Sequence, residues 1–162
     1  MDLSVLDSLD KLSKRLDSLE APPVVKFKRL HPDAVVPKYQ HPGDAGMDLT
    51  AIKNAVVMPE AVVCIPTGFA ISLPPGYEAQ VRSRSGLSIR GVVVANSPGT
   101  IDSMYSGEVK VIVRNHGELF TIHKGDRIAQ LVIARVAQAQ IVEVAELPET
   151  ERGAGGFGST GK

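Results

Sequence analysis

Along most of the chain apolar and polar positions alternate in short runs cut by proline and glycine, and only the first twenty residues follow another rule. There Leu3, Leu6, Leu9, Leu12, Leu16 and Leu19 recur at three- and four-residue steps among Asp, Ser, Lys and Arg, which lays one apolar stripe along a helix. Ala21, Pro22 and Pro23 then stop it. A helix of this length is marginal alone in water, so the stripe should pack on its own subunit, on copies of itself or on another partner, or fray. The pattern divides the chain into an N-terminal amphipathic helical extension over 1–22, a β core over 23–148 and a C-terminal arm over 149–162.

From Val24 the period becomes two. Residues 24–30 predict a strand with Lys26 and Lys28 on its wet side, and 35–46 a loop punctuated by Pro37, Pro42 and Gly43. Short strands are expected over 47–52, 55–58, 61–65, 69–73 and 77–82, divided by Pro59, Pro66, Gly68, Pro74, Pro75 and Gly76. More are expected over 91–95, 109–114, 119–122, 127–134 and 140–144. This spacing predicts an all-β sandwich, jelly roll or barrel. No βαβ alternation is present, which excludes Rossmann and P-loop architectures. Residues 149–162 are too polar and too rich in glycine to hold themselves folded, and predict a flexible arm.

Composition narrows the classes. The 162 residues suffice for one domain with a real core. A formal charge of +0 and a pI near 6.9 speak against a protein that grips long nucleic acid by bulk electrostatics. The single cysteine, Cys64, allows no internal disulfide framework and no cysteine zinc site, and is expected to be a small buried hydrophobe. No basic-then-apolar leader opens the chain and no apolar run approaches a membrane span, so the expectation is a reducing, cytoplasmic compartment.

Chemistry concentrates in five stretches. In NSPGTIDSMYSGEVKVIV, residues 96–113, Pro98 and Gly99 break the chain and EVKVIV alternates from Glu108. A hairpin is predicted, its first arm over 91–95 and its return arm carrying Asp102 and Tyr105 near the bend. Backbone groups at such a bend can pair with the edge of a planar ring, while Asp102 holds a water as general base. An Asx turn at Asp102 with Tyr105 in the core is the plainer reading of the same residues. VRSRSGLSI, residues 81–89, gathers two guanidiniums, two hydroxyls and a glycine, which suits an anionic oxygen cluster as well as a solvated turn.

The remaining three are HPGDAGMDLT, KGDRIAQLVI and the tail RGAGGFGSTGK. The first offers Asp44 and Asp48 after a Gly/Pro loop, either an ordinary surface turn acid or a carboxylate for a hydrated Mg²⁺, which usually needs only one or two beside substrate phosphates. In the second, Gln130 is an amide among Ile, Leu and Val, and buried amides need partners. The tail is a candidate lid, with Phe157 for a base and Arg152 and the amides near Ser159 for a terminal phosphate.

Taken in order, AGMDLTA at 45–51, RSGLS at 84–88, NSPGTIDSMYSGEVKV at 96–111, GDRIAQLVI at 125–133 and RGAGGFGST at 152–160 resemble the five motifs of the trimeric dUTP diphosphatases (dUTPases). The resemblance runs from about Val24 to the end. It implies a jelly-roll-like β subunit of a homotrimer with active sites shared between subunits, which hydrolyses dUTP to dUMP and diphosphate with Mg²⁺. By resemblance Asp102 deprotonates the attacking water and Gln130 assists beside it. Asn96, Gly99, Thr100 and Ile101 read the uracil edge, and Tyr105 packs on the deoxyribose. Arg84, Ser85 and Gly86 hold phosphates, Asp48 touches the Mg²⁺ water shell, and Arg152, Phe157, Gly158 and Ser159 close a neighbour's site. Two positions depart from the family pattern: Met104 stands where many relatives have a second Asp, and Ser106 where many have Arg. The alternatives are a dCTP deaminase-type or bifunctional enzyme of the same fold, and a non-catalytic module that binds nucleotides or partner proteins. Direct nucleic-acid binding is not expected.

Overall fold

In the computed structural model of the protein, Lys11 and residues 21–156 are described. The helix expected over the first twenty residues lies outside the described residues, Lys11 apart, and so do Phe157, Gly158 and Ser159. The described chain is almost wholly strand and turn. Its strands are β1 (Lys26–Arg29), β2 (Met47–Thr50), β3 (Ala55–Val57), β4 (Val62–Ser72), β5 (Tyr77–Arg82), β6 (Val92–Val94), β7 (Gly99–Ile101), β8 (Glu108–Asn115), β9 (Phe120–Ile122) and β10 (Arg127–Arg135). One helical turn, α1 (Ser85–Ser88), follows β5 and had no counterpart in the hydrophobic pattern.

Two antiparallel four-stranded sheets, ordered β1-β4-β8-β6 and β2-β10-β5-β7, share one core, and β3 pairs with β9 beside them. The alternation in EVKVIV does what the sequence predicts: Val109, Val111 and Val113 are buried while Lys110 and Ile112 face out. Opposite them Leu49, Ala129 and Leu131 fill the second sheet's inner face. Each fully buried Val or Leu side chain among them contributes about 1.5–3 kcal/mol. Among the described residues no helix is long and apolar enough to cross a membrane.

Three expectations are corrected. The strands expected over 61–65 and 69–73 are one strand, β4, because the Pro66–Gly68 break is absorbed by a register shift between Pro66 and Ala70. Gly68 takes φ +74 there, and its N–H is satisfied by Glu108 Oε1 at 2.9 Å. The segment 140–144 forms no strand: it has no partner strand among the described residues, and Ile141 is 89 % exposed. The simple hairpin is also wrong in its turn. β6 does pair with β8, Val94 opposite Val113, but Gly99–Ile101 first crosses to the other sheet and pairs with β5. Asp102 and Tyr105 therefore sit on the link that returns from one sheet to the other.

Candidate active site

That crossing builds a concave surface. Asn96, Gly99, Thr100, Ile101, Asp102 and Tyr105 all line one cleft of about 310 Å³, which Val81, Val109, Lys110, Ile112 and Cys64 complete. The Ser97–Pro98 peptide is cis. Asn96 folds over Gly99, whose missing side chain makes room: a Cβ there would lie 3.0 Å from Asn96 Nδ2. Tyr105 is 46 % exposed, so it faces the cleft and does not fill the core. Its hydroxyl donates to the Glu108 carbonyl at 3.0 Å. Asp102 is exposed and its carboxylate has no side-chain partner among the described residues. It stands on the ridge between this cleft and a second hollow lined by Tyr77, Met104 and Val136.

Cys64 is exposed at the cleft, contrary to the expectation of a buried thiol. It stands opposite Ile112 on the outer face of β4 and β8, where strict alternation sends both outward. The same parity puts Lys110 there. Lys110 and Ile112 could have been found by alternation along EVKVIV between the inward valines, whereas Cys64 joins them only through the pairing of β4 with β8.

A second group forms where β2, β5 and β10 meet. Asp48 is 9 % exposed and lies between two guanidiniums, Arg84 Nε at 3.0 Å from Oδ1 and Arg127 Nη1 at 3.0 Å from Oδ2. Arg84 Nη1 also donates to the Arg127 carbonyl at 2.8 Å. Gln130 is half-buried, lies opposite both Asp48 and Arg82 in the sheet, and packs beside Gly46, where a Cβ would approach its side chain to 3.3 Å. Ser85 and Gly86 are exposed in α1, with open space beside Gly86. The loop before α1 is tied to the other sheet by Ser83, whose Oγ accepts from Val94 N at 2.9 Å. Arg127 is the residue that motif reading missed; its place at the entry to β10, two residues after Gly125, was the available signal.

Arg84 and Arg127 line a cleft of about 320 Å³ with Arg90, whose guanidinium lies 4.5 Å from the Phe120 ring centre. No residue is common to this cleft and the Tyr105 cleft. Arg152 joins neither: its Nε donates to Gly155 O at 2.9 Å within an exposed turn. One chain thus offers a ring-sized cleft with polar backbone at its rim and, apart from it, an arginine-rich surface with hydroxyls.

An all-β protein with these two surfaces is suited to a ligand that joins a planar ring to an anionic tail. The comparisons with known proteins agree in pointing to one group. The dUTPase family model matches residues 33–161. A deoxyuridine 5'-triphosphate nucleotidohydrolase of Nautilia profundicola is 53 % identical over 140 residues, 85 % of this chain and 99 % of the relative. The Staphylococcus bacteriophage 80alpha dUTPase with dUpNHpp superposes with a TM-score of 0.81 at 30 % identity, covering 86 % of this chain and 99 % of that one. A variant dUTPase from phage phi11 of S. aureus, which coordinates a structural Mg(II) ion, matches with a TM-score of 0.73 at 25 % identity over 78 % and 99 % of the two chains. The chain belongs to the dUTPase family.

Proposed function

We infer that the protein hydrolyses dUTP to dUMP and diphosphate. The observation that carries this reading is the convergence of Asn96, Gly99, Thr100, Ile101, Asp102 and Tyr105 on one cleft, in a family whose members include an enzyme solved with a dUTP analogue. Uracil would enter beside Asn96 and the Gly99–Ile101 backbone, with Tyr105 against the deoxyribose. Asp102, carrying no competing side-chain partner among the described residues, would hold a water and take its proton as the oxygen attacks the α-phosphorus and the bond to diphosphate breaks. Arg84, Ser85 and Gly86 would bind phosphate oxygens that gain charge, with Gln130 beside them.

Among the described residues no three His, Cys, Asp or Glu side chains gather to cage a metal, and Asp48 is already shared by two arginines. That donor set fits a hydrated cation carried in on the phosphates and touching Asp48 through water. Mg²⁺ bound so supplies positive charge to the phosphate oxygens.

The same reading requires more than one copy. The two surfaces line separate clefts, and the segment after β10 extends Ile141, Val142, Val144 and Leu147 into solvent in a strand-like pattern without a strand to pair with. A homotrimer of jelly-roll-like subunits would bring one chain's Tyr105 cleft to another's arginines and cover that segment, with Arg152, Phe157, Gly158 and Ser159 closing the site from a neighbour. The single cysteine fits a reducing, cytoplasmic setting. Diphosphate release from dUTP with Mg²⁺, followed on protein eluting as a trimer, tests the whole reading. Ammonia release from dCTP, or dUpNHpp binding without any turnover of dUTP, would overturn it.

A further inference from the structure

The geometry points to Arg127 as a positioning residue of the phosphate end: it keeps Asp48 paired so that Arg84 can leave for the substrate. This rests on the reading of Asp48 and Arg84 given above.

The two guanidiniums hold Asp48 unequally. Arg127 Nη1 donates an aligned hydrogen bond to Oδ2 at 3.0 Å. Oδ1 is buried and accepts no hydrogen bond of good direction, although Arg84 Nε lies 3.0 Å from it. The Arg84 contact is therefore charge attraction without alignment, the weaker of the two. A carboxylate this buried is costly to leave uncompensated, and if Arg84 were its sole partner the arginine could not move onto a phosphate without incurring that cost. With Arg127 fixed on Oδ2, Arg84 can turn away, exchanging its Nη1 bond to the Arg127 carbonyl for a phosphate oxygen, and Oδ1 is freed to accept from a cation's water shell.

The strand itself is bent to make this possible. By plain alternation Arg127 would share the inner face of β10 with Ala129 and Leu131, both fully buried. The register between β10 and β2 shifts between Arg127 and Ala129, and that irregularity turns the arginine toward Asp48.

The test is calorimetric binding of dUpNHpp to the full-length protein with and without Mg²⁺, beside steady-state kinetics. R127M should lose most of the affinity that Mg²⁺ adds, roughly tenfold as for neighbours in one ion-pair network, and should raise KM more than it lowers kcat. R127K, which keeps a cation near Oδ2, should recover most of both. In a D48N background R127M should add little. Full Mg²⁺ gain in R127M, or an equal effect of R127M with and without Asp48, overturns the proposal. Should R127M fail to fold, R127K decides: folded protein that has lost the Mg²⁺ gain counts against it, and retention supports it. Wild-type protein whose dUpNHpp affinity ignores Mg²⁺ would instead remove the Asp48 reading, and the role of Arg127 with it.

Discussion

The Tyr105 ring lies so close over Gly107 that a Cβ at position 107 would stand 2.5 Å from the phenolic oxygen and 2.7 Å from Cζ. The same oxygen is anchored on the Glu108 carbonyl. Ring position and glycine are thus one feature: the side chain can fold back along its own link only because position 107 carries nothing. Met104 and Ser106, on the same link, are both exposed.

Gly107→Ala should therefore push the ring out of the cleft while sparing the core, since the added methyl meets only Tyr105 among its three nearest atoms. A displacement of about 1 Å at a group that positions substrate can cost about 10²-fold. The expected outcome is a fall of that order in kcat/KM for dUTP, with a nearly unchanged melting temperature and weaker discrimination against UTP. Proportional losses on dUTP and UTP would show that Tyr105 does not sense the sugar.

Asp102→Asn tests the base. The amide keeps the shape of an exposed side chain that has no partner to lose among the described residues, so folding and dUpNHpp binding should stay within a few-fold of wild type. Turnover should drop about 10²- to 10⁴-fold, the usual worth of a general base. Equal losses in binding and turnover would mean that the carboxylate serves the ground state.

Much of this was legible beforehand because the inner face of a sheet repeats every second residue. Val109, Val111 and Val113 announce β8, and the order of five motifs names the cleft residues Asn96 to Tyr105. What could not be read were features set by contacts between distant segments. Thr67 donates to Val109 O and Glu108 accepts from Gly68, which lets a strand run through Pro66 and Gly68 that local rules would break. Arg127 was hidden for the same reason, since alternation assigns it to the core and only the pairing with β2 turns it out. The segment 140–144 carries a strand's pattern but pairs with no strand among the described residues, because hydrophobic alternation does not by itself supply a partner for the backbone.

Removal of residues 150–162 follows from the place of Arg152. Its turn lies exposed, held by Arg152 Nε on Gly155 O and by Gly153 N on Thr150, and it contributes nothing to the core. The truncated protein should fold and elute as the intact one does, yet lose turnover by orders of magnitude if the arm closes a neighbour's site. Mixing it with an Asp102→Asn protein after subunit exchange should restore part of the activity, because each partner supplies what the other lacks. Wild-type rates in the truncated protein alone would dispose of the closing arm.

Asn115 is a fully buried amide at the end of β8 that links three segments. Its Nδ2 donates to Val57 O at 2.9 Å and Glu118 O at 2.7 Å, and its Oδ1 accepts from Gly117 N at 2.9 Å. Asn115→Ala would strand the buried Val57 carbonyl and the partly buried Glu118 carbonyl and Gly117 N–H, at about 1–3 kcal/mol for a buried group left without a partner, so denaturant unfolding should show a loss of a few kcal/mol. Asn115→Asp keeps the shape but sets a carboxylate against the two carbonyls. Burial and those neighbours favour its neutral form, so its pKa in the folded protein is raised above the unfolded value, and stability is lost as pH rises through that value. Denaturation midpoints of the two variants should therefore diverge between about pH 4 and pH 7, with the Asp variant falling and the Ala variant flat relative to wild type. Parallel midpoints across that range would mean that water reaches Asn115 and that its bonds to Val57 and to the turn after β8 are not what ties these segments together.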